Sequence, residues 1–215
     1  MKPKLVIFDL DGTLLDTIDD LKEAVNHAMG LRGFPTFTRD EVMAMVGHGA
    51  RNLMRQALPI GHKDDNTVDA AYNDFKAYYI THIDVYTKPF PGIQDLLAKL
   101  HQEGIMLAVA SNKFQEGTEH LIKEFFPEIP FVAVLGGRPD FPLKPDPEIV
   151  NEVLRKAGVE KKDAVMIGDS DTDMETAANG DIMGIVVNWG YRDMSSNENI
   201  LVANSVEELK QILLS

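Results

Sequence analysis

A chain of 215 residues, 44% hydrophobic and 26% charged, is sized for one large domain or a domain carrying a sizeable insertion. It has no cysteine, which excludes disulfides, thiolate zinc sites and a cysteine nucleophile, and no apolar run long enough to span a bilayer. A formal net charge of −13 repels nucleic acid and anionic membranes, so neither is an expected partner. The same field repels a small phosphorylated metabolite, unless a bound metal and a lysine invert it locally.

Taken in chain order, Met-Lys-Pro-Lys precedes a short apolar run, Leu5–Phe8. That run is too short for the apolar core of a signal peptide, and the expectation is a cytoplasmic protein. It reads instead as a first strand, ending at Asp9. The long interval that follows carries helical stripes and no convincing strand. The stripes are Leu21, Ala24, Val25, Ala28 and Met29; Val42, Met45 and Val46; Leu53, Met54, Ala57 and Leu58; and Val68, Ala71, Tyr72, Phe75 and Tyr79. No single crossover needs so much chain. A helical domain inserted at 16–84, within a core of 1–15 and 85–215, is the economical reading.

After the interval, Pro91-Gly92 opens a helix through Ile93, Leu96, Leu97 and Leu100 that stops at Gly104. Strands follow at Met106–Ala110 and Phe131–Leu135. Asp146, as an N-cap before Pro147, starts a helix that ends at Gly158. Further strands read at Ala164–Ile167 and Met183–Val187, with a weaker one at Ile200–Val202, and Val206, Leu209 and Leu213 line a last helix. Short, nearly continuous apolar strands alternating with helices predict an α/β fold with a doubly wound parallel sheet.

Ligands of such sheets bind beyond the carboxyl ends of the strands. Those ends carry Asp9-Leu10-Asp11-Gly12-Thr13, then Ser111-Asn112-Lys113, then a loop reaching Lys144-Pro145-Asp146-Pro147, and finally Gly168-Asp169-Ser170-Asp171-Thr172-Asp173. Each piece alone has an ordinary explanation as a turn, a cap or a solvated charge. Together, at one edge of one sheet, they supply carboxylates for a metal, donors for phosphate oxygens and a lysine.

These motifs resemble those of the haloacid dehalogenase-like superfamily of phosphohydrolases, with a Rossmann-like core and the helical insertion in the place of its cap domain. The resemblance implies that Asp9 is a nucleophile that becomes an aspartyl-phosphate, and that Asp11 is the general acid and base. It implies that Thr13, Ser111, Asn112 (through its backbone) and Lys144 bind the phosphoryl group. Asp9, the Asp11 main-chain carbonyl and Asp169 would hold Mg²⁺, with Asp173 in preference to Asp171 as the second supporting acid. An acid at position 11 speaks against the dehalogenases of the superfamily. The absence of a histidine from Asp16-Thr17-Ile18-Asp19-Asp20-Leu21 speaks against its β-phosphoglucomutase branch.

Asp16-Thr17 with Asp20-Leu21, Val46-Gly47-His48-Gly49, Pro89-Phe90-Pro91-Gly92, Gly136-Gly137 and Trp189-Gly190-Tyr191 are similar to the phosphoglycolate phosphatase branch. That makes 2-phosphoglycolate the best single substrate, with a pyrophosphatase or nucleotidase as the alternative within the family. Gly47, His48 and Arg51 are the candidates for substrate specificity, Arg51 by pairing with a carboxylate. The different-class alternatives are a phospho-aspartate signalling domain and a non-catalytic regulator. Either a monomer or a homodimer is compatible with the sequence.

Overall fold

The protein is described by a computed structural model over residues 2–192 and 201–215. Strand β1 (Leu5–Phe8) leads through β2 (Leu15–Asp16) into helices α1 (Ile18–Gly30), α2 (Arg39–Met45), α3 (Ala50–Ala57) and α4 (Asp65–Tyr79), and the chain returns at β3 (Lys88–Pro89). Helices and strands then alternate as α5 (Ile93–Gln102), β4 (Met106–Phe114), α6 (Gln115–Phe125), β5 (Phe131–Gly137), α7 (Glu148–Ala157), β6 (Ala164–Gly168), α8 (Asp171–Asn179) and β7 (Met183–Val187). After β7 come β8 (Leu201–Ala203) and α9 (Val206–Leu214). Ile200, expected to open the last strand, lies outside the described residues. Among the described residues, no helix is long and apolar enough to cross a membrane.

The chain divides into two compact units, Met1–Asp16 with Pro89–Ser215, and Thr17–Lys88. In the first, the main sheet runs in the order β5-β4-β1-β6-β7-β8 with every pair parallel, and β2 and β3 form a separate two-stranded sheet. Strands succeed one another outward from β1 through β4 to β5, then restart on the other side of β1 with β6. This reversal beside β1 is the topological switch point, where a crevice opens beyond the strand ends. Leu5 and Ile7 of β1 share one face with Ala108, Ala110 and Met166, and that face packs on Ile149, Val150, Val153 and Leu154 of α7. Burying each of the larger aliphatic side chains stabilises the fold by about 1.5–3 kcal/mol, enough to hold the central strand ends rigidly.

Several boundaries differ from the sequence reading, among them β5, which runs on to Gly137, and the inserted unit, which runs to Lys88; two others bear on the site. The strand expected to stop at Ala110 continues to Phe114, because Ser111-Asn112-Lys113 sits in a bulge rather than after the strand. Ala110 pairs with Leu135 and Phe114 with Gly137, so two extra residues of β4 lie opposite β5. Polar residues hid this from a reading based on apolar runs. Gly136 permits the bulge, since a Cβ there would lie 2.6 Å from the Lys113 carbonyl oxygen and 2.7 Å from Gln115 Cα. The other difference is at α7, which starts at Glu148 with Pro147 in the cap position. Asp146 still caps, accepting from the Glu148 N–H at 2.9 Å, one residue further out than expected.

In the second unit, Val42, Leu53, Met54, Ala57, Val68, Ala71, Phe75 and Tyr79 are buried, as their helical spacing requires. Thr38 and Glu41 form a capping box at α2, and Asp64 caps α4. The unit is closed at its two chain ends by Asp20. This carboxylate is only 2% exposed and accepts from the N–H groups of Tyr86 and Thr87 and from Thr87 Oγ1 at 2.7–3.0 Å.

Candidate active site

Asp9 follows β1, and its N–H still donates to the Ile167 carbonyl at 2.9 Å, so the sheet ladder sets its backbone. Across the switch point, β6 ends at Gly168 and delivers Asp169. One helical turn later comes Asp173. Ser170 and Asp173 form a capping box at α8: Asp173 Oδ2 accepts from Ser170 Oγ at 2.6 Å and from the Ser170 N–H at 3.2 Å. Helix capping thereby turns the third residue of α8 back toward the strand ends. Asp9, Asp169 and Asp173 are all buried, and one carboxylate oxygen of each lies within 4.8 Å of the others. Asp171 is exposed.

Lys144 meets this cluster with its ammonium, 2.8 Å from Asp9 Oδ1 and 2.6 Å from Asp173 Oδ1. The Asn112 side chain grips the Lys144 backbone at both ends, accepting from its N–H at 2.8 Å and donating to its carbonyl at 3.1 Å. The side chain of Asn112 is therefore a clamp on Lys144, a use that the sequence reading, which assigned Asn112 through its backbone, did not foresee. Ser111 is buried beside it, its Oγ accepting from the Lys113 N–H at 3.3 Å. Thr13 is fully buried, and among the described residues its Oγ1 has no hydrogen-bond partner.

Asp11 stands apart from the three clustered carboxylates. Its Oδ2 pairs with Lys113 Nζ at 3.0 Å. Lys113 was not among the sequence-derived site residues, although it directly follows Ser111-Asn112. Ser170 was also missed, although Ser-x-x-Asp ahead of a helix is a readable capping pattern. In the segment after β7, Trp189-Gly190-Tyr191 was read as a branch motif, but its pairings with the site were not. There the Tyr191 N–H donates to Asp169 Oδ2 at 2.6 Å and Trp189 Nε1 donates to the Thr13 carbonyl at 3.1 Å. A Cβ on Gly190 would collide with the Gly12 carbonyl oxygen and the Asp169 side chain.

Charge is unbalanced at this edge. Three buried carboxylates face one ammonium. Burial pushes Asp9 up, the neighbouring Asp173 and Asp11 charges add to that, and Lys144 opposes it; the balance lifts Asp9 from 3.8 to about 6. Asp169 is pushed well above the usual carboxylate range by burial first and by Asp173 and Asp9 second. Burial alone would lower Lys144, but Asp173 and Asp9 outweigh it and hold the lysine protonated above its ordinary range. Such a cluster fits a hard divalent cation: an all-oxygen donor set, preassembled, with more negative charge than the protein itself neutralises.

Gly47 and His48 lie between α2 and α3, with His48 exposed. Arg51 on α3 is committed to two carboxylates of α4, at 2.6 Å from Asp69 and 2.9 Å from Asp65.

Similarity to known proteins agrees with this arrangement. The sequence model of the haloacid dehalogenase-like hydrolases matches residues 6–187. The chain is 31% identical over 203 residues to a phosphoglycolate phosphatase of Mesorhizobium japonicum, covering 92% of this chain and 88% of that one. It is 33% identical over 192 residues to the phosphoglycolate phosphatase of Agrobacterium fabrum, covering 88% and 82%. Among solved structures, a Lactobacillus delbrueckii subsp. bulgaricus protein provisionally assigned as a phosphoglycolate phosphatase superposes with a TM-score of 0.93 at 32% identity, over 99% of both chains. The match spans the sheet, the carboxylate cluster and the helical insertion alike: the chain belongs to the haloacid dehalogenase-like hydrolases.

Proposed function

We propose that this hydrolase cleaves small phosphate monoesters through an aspartyl-phosphate on Asp9, with Mg²⁺ as its cation and 2-phosphoglycolate as its substrate. The observation that carries the reading is the buried Asp9–Lys144–Asp173 array at the switch point, with Asp169 in the same carboxylate cluster. The substrate assignment rests on the named activity of the curated relatives.

In the first step an Asp9 carboxylate oxygen attacks phosphorus, the bond from phosphorus to the ester oxygen breaks, and Asp11 gives its proton to that oxygen. In the second, water attacks the same phosphorus, its proton passes to Asp11, and the bond to Asp9 breaks, releasing inorganic phosphate. Lys144 offsets the charge of Asp9 and the phosphoryl group as they approach. Thr13 and Ser111 donate hydroxyl hydrogen bonds to phosphoryl oxygens, and burial of Thr13 Oγ1 without a partner supports that use. Asp9, Asp169, the Asp11 carbonyl and Asp173 would hold the cation, with Asp173 also bound to Lys144 and Ser170. The cation, when bound, supplies the positive charge that lets a phosphate dianion approach a carboxylate cluster.

Substrate selection is assigned to the inserted unit as a cap, through Gly47 and His48. Arg51, already paired twice, is the weaker of the three specificity candidates.

Asp9→Asn tests the mechanism. Phosphate release from 2-phosphoglycolate and from p-nitrophenyl phosphate, measured with Mg²⁺ present, should fall by at least about a thousandfold, since no other group can form the ester. Retained turnover in that variant, or a wild-type protein that releases a single equivalent of phosphate and stops, would remove the reading.

A further inference from the structure

Two buried lysines divide the carboxylates at the strand ends between them. Lys144 serves Asp9 and Asp173, whereas Lys113 serves Asp11, at 3.0 Å, with side chains only 3% and 13% exposed. The Lys113 backbone is held on both sides. Its N–H donates to Ser111 Oγ at 3.3 Å, its carbonyl accepts from Thr118 Oγ1 at 3.3 Å, and the same carbonyl abuts the missing side chain of Gly136. The bulge of β4 is what brings Lys113 to this place. A strand in regular register would have alternated its side chains through the sheet.

We propose that Lys113 is a positioning residue for Asp11, holding its carboxyl group where the ester oxygen leaves; this rests on the role given to Asp11 above. A general acid works only within hydrogen-bond reach of the oxygen it protonates. Asp11 lies just beyond the end of β1, before Gly12, and the buried Lys113 ammonium is 3.0 Å from its carboxylate. The atoms moved are those of the first step: the bond from phosphorus to the ester oxygen breaks as the proton passes from Asp11 to that oxygen. Lys113 neither gains nor loses a proton.

The test uses the leaving group. An alkyl phosphate such as 2-phosphoglycolate or glycerol 2-phosphate expels a poor leaving group that needs the proton. p-Nitrophenyl phosphate expels a stable phenolate that hardly does. Because kcat/KM reports only steps up to departure of the leaving group, the second step does not blur the comparison. Lys113→Met should lower kcat/KM for the alkyl ester about a hundredfold and for the aryl ester less than about fivefold. Lys113→Arg, which keeps the pair, should recover part of the alkyl activity. In the Asp11→Asn background, Lys113→Met should cost nothing further on the alkyl ester, because the two residues act as one unit.

If Lys113→Met does not fold, because it removes the ammonium beside a largely buried carboxylate, Lys113→Gln carries the same comparison. Equal losses on both esters would overturn the proposal and leave the phosphatase reading standing. So would losses that add to those of Asp11→Asn, or a rise in KM for the alkyl ester with kcat intact, which would make Lys113 a substrate-binding residue. A wild-type enzyme that hydrolyses neither ester would overturn both.

Discussion

At Asp173 both carboxylate oxygens are committed, one to Lys144 and one to Ser170, so a single residue ties a helix cap to a buried lysine. Asn112 does the same for the other end of that lysine by bonding its backbone twice. Asp169 is supported differently: its donor is the Tyr191 N–H, from a segment 22 residues away in sequence. Gly190 is what lets that segment come so close. Gly190→Ala places a methyl group against Asp169 and the Gly12 carbonyl, and one of them must move. Groups that orient a metal ligand are worth 10–100-fold in metal affinity, so this variant should need roughly ten times more Mg²⁺ for half-maximal thermal stabilisation, with activity partly restored at high Mg²⁺. An unchanged Mg²⁺ titration, followed by thermal shift, would show that the segment only fills space.

The elements carry the next level of organisation. β1 is the hub of the sheet because its neighbours on either side begin separate halves of the winding, and its carboxyl end faces the crevice between them. β4 reaches that crevice only through its bulge, and α8 only through its capping box. In the inserted unit, the first turn of α1 is joined to residues 86–87 by Asp20, whose buried carboxylate answers three donors. Asp20→Ala leaves two backbone N–H groups and the Thr87 hydroxyl without that acceptor. The expected loss is about 2 kcal/mol of stability, a fall in melting temperature of roughly 4–8 °C for a chain this size. Calorimetry of the purified variant checks it; a melting temperature within a degree of wild type would mean that water replaces the carboxylate at no cost.

For the whole molecule, a formal charge of −13 makes a cation at the carboxylate cluster a matter of stability as well as of the proposed chemistry. Asp9 titrates at 3.8 when unfolded and at about 6 when folded without metal. Between those values the unfolded chain has released a proton that the folded one retains. Stability of the metal-free protein therefore declines as pH rises through this window, and the penalty is complete above about pH 6. Asp169, raised for the same reason, extends the penalty to higher pH. A divalent cation relieves it, but must compete with protons below the window. Added Mg²⁺ should raise the melting temperature clearly at pH 7.5 and little at pH 5. An equal gain at both values would place the bound ion away from these carboxylates.

Most of the side-chain cluster was legible in the sequence because it sits at the ends of apolar runs, where strand, turn and polar residue are contiguous. Asp9 and Asp169 needed only the rule that ligands lie beyond strand carboxyl ends, and Asp173 over Asp171 needed only a match to a family pattern. The insertion was legible as surplus chain between two strands. What a reading along the chain cannot supply is pairing across it. That Lys113 belongs to Asp11, that the Asn112 side chain serves Lys144, that Arg51 is spent on Asp65 and Asp69, and that Tyr191 supports Asp169 are facts of tertiary approach. The sequence by itself determined which ionisable groups gather at one edge of the sheet, since local periodicity and turn chemistry suffice for that. Only the folded structure decided which of them neutralise one another, because Coulomb energy depends on distances of a few ångströms that no spacing along the chain encodes.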